Sequence, residues 1–142
     1  MGTVPNPYHL VTPVRVGDGS QPVPRDGPVT TDHPTRLAPM IKHIVAWQFA
    51  DEAEGADKAT NVALVANALR ALPDVVPGIL EFEVITAQPD LENTFDLALY
   101  SVFTDAEALQ GYAVHPEHQK VVALIGARRT GRACIDYDPA EL

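Results

Sequence analysis

The run YAVHPEHQKVVALI, residues 112–125, sets a phenol, two imidazoles and a proline at the head of an apolar helical pattern. Positions 118, 121, 122 and 125 follow the spacing of one helix face, so His118 shares a stripe with Val121, Val122 and Ile125 and is expected to face inward. Leu109 and Tyr112 are three apart on the preceding helix and point to the same interior. On a separate stretch, IKHIVAWQF, two-residue alternation puts His43 on one face with Val45, Trp47 and Phe49. Three polar side chains, Tyr112, His118 and His43, are thus aimed at one interior space. Such a set can run general acid–base chemistry: a phenol holds a carbonyl oxygen while an imidazole takes a proton from the neighbouring carbon. The expected catalytic residues are His118, as base or acid, Tyr112, as the group that polarises the carbonyl, and His43 in support.

The same residues also fit purely structural roles. His115 can close a helix C-terminus, where a cationic ring favours the dipole. His118 can be a core histidine with a hydrogen-bond partner, and Tyr112 core filling with a polar tip. Other chemistries find less support. Cys134 has no histidine near it in sequence to make a nucleophile pair. His115 and His118 are split by the break at Pro116, and no third ligand is spaced to join them, so no metal is expected. Asp136 and Tyr137 read as strand-edge or interface residues, and DEAEGAD as a solvated loop.

The elements that must position these side chains begin at Met40. Eight prolines lie in residues 1–39, which carry no net charge because three arginines balance three aspartates. This leader cannot form a long helix or a central strand, and reads as an extended arm or a disordered segment. Residues 40–142 hold the whole charge of -9. They read as strand 41–49, a helix carrying Val62, Val65, Leu69 and Leu72 and ending at Pro73, and a strand after Pro77-Gly78 with Leu80, Phe82 and Val84 on one face. A further strand follows with Phe95, Leu97, Leu99 and Phe103 inward. Thr104 and Glu107 then open a helix as a capping box, Pro116 starts a second helical piece, and RACIDYD forms the last strand. The order β-α-β-β-α-β is the ferredoxin-like α+β sandwich, a four-stranded antiparallel sheet with its helices on one face. The other face, with Ile44, Ile85, Tyr100 and Val102, needs a cover, and a second copy of the chain supplies it most simply; a homodimer is expected.

At 142 residues and 46% hydrophobic composition the chain is long enough to bury a core. The charge of -9 argues against nucleic acid and against an anionic membrane surface. No apolar run of about 18 residues and no signal-peptide pattern is seen. One cysteine permits no internal disulfide. A cytoplasmic location is the expectation.

IKHIVAWQF, VPGILEFEV, FDLALYSVF, YAVHPEH and IDYDP, in that order, resemble the stress-responsive A/B-barrel (Dabb) family over residues 40–142. The resemblance implies a homodimer in which two sheets face each other as an α+β barrel. It also implies a possible activity, because one member is a plant polyketide cyclase that performs an aldol condensation without a cofactor. Its catalytic tyrosine and histidine match Tyr112 and His118, and a first-strand pocket histidine matches His43. Another pocket histidine falls on Leu97 here, and the first helix offers Val65, Ala66 and Leu69 in place of aromatics, so the cavity is lined differently. The leading expectation is an enzyme that needs no cofactor and acts on a small, partly apolar carbonyl compound as an aldol cyclase, isomerase or lyase. The alternatives are a non-catalytic dimeric stress-responsive or ligand-binding protein and, by fold analogy, a cofactor-free monooxygenase.

Overall fold

A computed structural model gives the architecture and describes residues 39–142; the expectations for the leader lie, but for Pro39, outside the described residues. The chain runs β1 (Ile41–Phe49), a small ribbon of β2 (Glu52–Ala53) and β3 (Ala56–Asp57), α1 (Lys58–Arg70), β4 (Ile79–Thr86), β5 (Leu97–Phe103), α2 (Ala106–Val114), α3 (Pro116–Gly126) and β6 (Arg129–Tyr137). The four long strands form one antiparallel sheet in the order β4-β5-β1-β6. This is the ferredoxin-like α+β fold expected from the pattern.

Alternation fixes the inner face. Val45, Trp47 and Phe49 of β1 and Leu97, Leu99 and Phe103 of β5 are buried under the helices, and His43 lies among them. Helix α1 seals this core with Val65, Ala66 and Leu69. Its start is set by Asp57, whose carboxylate accepts from the Thr60 amide at 2.8 Å. It stops at Arg70 because Pro73 brings no amide to continue it, and Leu72 reaches the core from a 3₁₀ turn instead. Asn61 is also buried; its amide nitrogen donates to the Ala53 and Ala56 carbonyls and its oxygen accepts from Arg128 Nε at 3.0 Å. One side chain thereby ties the β2–β3 ribbon, α1 and the approach to β6 together.

Five local expectations need correction. DEAEGAD is solvated, as expected, but is no irregular loop: it folds back as β2–β3 through Glu54 and Gly55, both at positive φ. In β4 the inward phase is Ile79, Phe82 and Val84, not Leu80, Phe82 and Val84, because the register with β5 shifts between Ile79 and Glu81 and leaves Leu80 exposed. Helix α2 is capped one residue later than expected: Asp105 Oδ1 accepts from the Ala108 amide at 2.7 Å. Phe95 precedes β5 rather than belonging to it, and β6 starts at Arg129, three residues ahead of RACIDYD.

The second face of the sheet carries Ile44, Ile85, Tyr100 and Ile135, with Ile135 62% exposed. Val102, on the same face, is buried. No helix among the described residues is long and apolar enough to cross a membrane.

The turn into β4 sets where helix and sheet meet. Gly78 has φ +85°, and a Cβ there would lie 2.7 Å from Ala108 Cβ on α2. Gly78→Ala is therefore expected to lose roughly 1–3 kcal/mol in chemical denaturation, from backbone strain plus displacement of α2. A variant as stable as the parent would show that α2 does not rest on this turn.

Candidate active site

The break between α2 and α3 builds the site. In an unbroken helix the Tyr112 carbonyl would accept from residue 116 and the Ala113 carbonyl from residue 117. Pro116 has no N–H, so the Tyr112 carbonyl instead accepts from the His115 amide at 3.2 Å. The Glu117 amide is taken by His115 Nδ1 at 3.1 Å, which makes the His115 ring the N-cap of α3. The Ala113 carbonyl is thus released, and His118 Nδ1 bonds it at 3.1 Å, with Gln119 Nε2 as a second donor. His115 does close α2 as its C-cap, as expected, but through its backbone amide, while its ring is spent on the next helix. An acceptor nitrogen at a helix N-terminus must be unprotonated, so the ring does not serve as a cation at a C-terminus.

Because a carbonyl only accepts, His118 carries its proton on Nδ1, and Nε2 is the basic atom. Burial holds the pKa of His118 below the usual imidazole value; the Ala113 bond opposes the shift, and the Arg132 guanidinium, with His43 and His115 whenever those rings are protonated, adds to it. Its ring lies against Tyr112 with centroids 4.1 Å apart and planes at 37°. Tyr112 is in turn enclosed by Phe103, at 5.0 Å, and by Phe82 and His43, each at 6.3 Å. Burial pushes the Tyr112 phenol well above its ordinary pKa, so the hydroxyl keeps its proton and acts as a donor. Among the described residues no protein group takes that hydroxyl in a hydrogen bond.

His43 is fixed from the sheet. It stands opposite Asp136 in the β1–β6 register, and its Nδ1 donates to Asp136 Oδ1. Its backbone carbonyl accepts from the buried Ser101 hydroxyl at 3.0 Å. The bond to a carboxylate again assigns the proton to Nδ1 and leaves Nε2 as the basic nitrogen. Both histidines therefore hold the same tautomer, each set by a fixed oxygen.

His43, Tyr112 and His118 line one cavity of about 510 Å³ between the sheet and the helices. This is the size of pocket that takes a small organic ligand. Its apolar wall includes Val45, Trp47, Leu69, Leu99, Leu109, Val122 and Ile125. Of the residues compared with the cyclase, Leu69 reaches the cavity, whereas Leu97, Val65 and Ala66 belong to the packed core. Val122 is more open than the helical stripe implied, at 43% exposure.

Sequence reasoning missed the whole β6 wall of the cavity, Arg129, Arg132, Cys134 and Asp136, and Gln110 of α2. Asp136 was read as an edge or interface residue, yet it is the partner of His43. Strand alternation alone links Arg132, Cys134 and Asp136; the missing information was the β1–β6 register, which sets them opposite Trp47, Val45 and His43. The register also gives Cys134 the histidine that sequence distance denied it, with Sγ 3.8 Å from His43 Nδ1 and from Asp136 Oδ1. These three ligand-type atoms lie within 4.8 Å of one another and could hold a divalent cation on the cavity wall. Burial and the Asp136 carboxylate push the Cys134 thiol up, so it holds its proton at neutral pH and is a poor nucleophile.

The model of the stress responsive A/B barrel domain matches residues 41–139, and the chain belongs to that family. An uncharacterized protein of Streptomyces coelicolor is 35% identical over 85 residues, which are 60% of this chain and 86% of that protein. A crystal structure of a dimeric protein of unknown function with a ferredoxin-like fold, from Bacteroides fragilis, is 32% identical, with a TM-score of 0.58 over 70% of this chain and 95% of that one. A dimeric ferredoxin-like protein from Thermobifida fusca is 20% identical, with a TM-score of 0.61 over 70% of this chain and 90% of that one. Hydroxynitrile lyase from Passiflora edulis is 14% identical, with a TM-score of 0.59 over 72% of this chain and 94% of that one. At such low identities the last two share the fold alone.

Proposed function

We propose that this protein is an enzyme that uses His118 and Tyr112 as an acid–base pair on a small, partly apolar carbonyl compound. One observation carries the reading: a phenol that keeps its proton and an imidazole with a bare Nε2 lie ring against ring on the wall of a cavity. Tyr112 donates to the carbonyl oxygen, which lowers the cost of the negative charge that gathers there. His118 Nε2 removes a proton from the adjacent carbon and becomes imidazolium, and the substrate becomes an enolate hydrogen-bonded to the phenol. Return of that proton to another carbon is an isomerisation. Attack of the enolate on a second carbonyl is an aldol closure, and the reverse sense breaks a carbon–carbon bond, as a lyase does. In the aldol closure the new alkoxide takes the proton that His118 Nε2 removed, which returns that ring to its neutral form; in the reverse sense His43 Nε2, its ring held by Asp136, is a second base for the hydroxyl proton. The three steps need only an acid and a base, so the reading invokes no cofactor. That one structural neighbour is a lyase is compatible with this chemistry and adds no reaction to it.

The enzyme works as a homodimer in this reading. Ile44, Ile85, Tyr100 and Ile135 form an apolar sheet face that no helix among the described residues covers, and two such faces closing on each other remove it from water. The dimeric state of the Bacteroides fragilis and Thermobifida fusca proteins supports the pairing.

Two experiments follow. In deuterated buffer, NMR should show the protein speeding exchange of the acidic carbon-bound protons of a small aryl diketone. His118→Gln should lower that rate roughly 10²–10⁴-fold, and Tyr112→Phe should lower it roughly 10²-fold. The active form of His118 is the neutral one, so the rate should fall with acid, along a limb centred below the ordinary histidine value, and stay level through neutral pH. Equal exchange by parent and His118→Gln would reject acid–base catalysis and leave a binding protein. Separately, sedimentation should give a two-chain species, and Ile135→Glu a monomer; a monomeric parent protein would reject the barrel assembly.

A further inference from the structure

We infer that the compound bound in this cavity carries a carboxylate, which Arg132 and Arg129 receive. The inference deepens the acid–base reading and rests on it. The chain has a formal charge of -9, yet the cavity wall bears two guanidiniums against one carboxylate, and that carboxylate, Asp136, is already engaged by His43. Among the described residues neither arginine takes part in an ion pair or a side-chain hydrogen bond with oxygen. Their neighbour Arg128 shows the contrast: its Nε donates to Asn61 and its Nη1 to the Leu124 carbonyl, so it is a structural group.

The convergence of the two arginines is built by the sheet. Arg132 lies opposite Trp47 and faces the cavity in the ordinary alternation. Arg129, three residues earlier, would face the opposite side of a regular strand. The register shifts between Gln48 and Phe49, so that Gly131 pairs with Gln48 and Arg129 with Phe49, and Thr130 becomes the extra residue. This bulge turns Arg129 to the side of Arg132. Arg132 is also close enough to His118 for its charge to act on that ring. A carboxylate on the guanidiniums would thus leave the rest of a small molecule over Tyr112 and His118. Guanidinium presents paired N–H donors that match a carboxylate, and the apolar wall of Trp47 and Leu99 takes the remaining hydrocarbon. The substrate class is a keto acid with an apolar body.

The test uses benzoylformate and its neutral amide, benzoylformamide, as probes of the full chain. Calorimetry would measure binding, and quenching of Trp47, the single tryptophan and a cavity residue, would report the place. Benzoylformate should bind roughly tenfold more tightly than the amide, with a preference that weakens as salt rises. Arg132→Gln and Arg129→Gln should each reduce that preference while leaving the affinity for the amide unchanged, and Arg132→Lys should keep part of it. Equal binding of acid and amide by the parent, or an unchanged preference in both glutamine variants, would overturn the carboxylate assignment alone. Binding of neither probe would overturn it together with the view that the cavity admits carbonyl compounds.

Discussion

The hydrogen bond from His118 Nδ1 to the Ala113 carbonyl is the contact on which the site depends. It exists because a helix has been broken at one defined place. Proline at 116 removes one amide, and the ring of His115 captures the next, so a carbonyl that would have been spent within the helix is free to receive a side chain. Each polar residue of the Y-x-x-H-P-x-H run then has a physical task. Tyr112 lies in the last turn of α2 with its ring buried, His115 caps α3, Pro116 enforces the break, and His118 spends one nitrogen on the freed carbonyl. The protonation state of the ring is thereby fixed by backbone geometry.

The sheet performs the corresponding work for His43. Burial of Val45, Trp47 and Phe49 decides which face of β1 looks inward, and His43 follows by alternation. Asp136 meets it because β6 is antiparallel to β1 in a fixed register. Two imidazoles from distant parts of the chain thus reach one cavity in the same tautomer, one bonded to a backbone oxygen and one to a carboxylate. Desolvation acts on the two partners of the central pair in opposite directions. It disfavours imidazolium at His118 and phenolate at Tyr112, so both stay neutral, one a base and the other a donor.

Much of this was legible in the sequence, and the failures have physical causes. Strand alternation and helical spacing placed His43, Tyr112 and His118 inside, since each follows a row of apolar neighbours in phase. The same logic misled at β6. In RACIDYD the apolar phase, Ala133 and Ile135, faces away from the cavity, and the polar phase of Arg132, Cys134 and Asp136 faces into it. An edge strand beside an open pocket has no helix above it to demand apolar residues, so hydrophobicity no longer marks the inner side. Register between strands nearly a hundred residues apart and the extra residue at Thr130 leave no mark in local pattern. Leu80 was misplaced for the related reason that a bulge resets the phase of β4. Motif resemblance located the tyrosine and histidines and gave no hint of the arginines.

The most direct test is the tautomer of His118, read from long-range nitrogen–proton correlation NMR of histidine-labelled protein at neutral pH. The account predicts a neutral ring with the proton on Nδ1 and an unprotonated Nε2, lost or altered when Pro116 is replaced by alanine and the helix can close. A proton on Nε2, or an imidazolium, at neutral pH would contradict it.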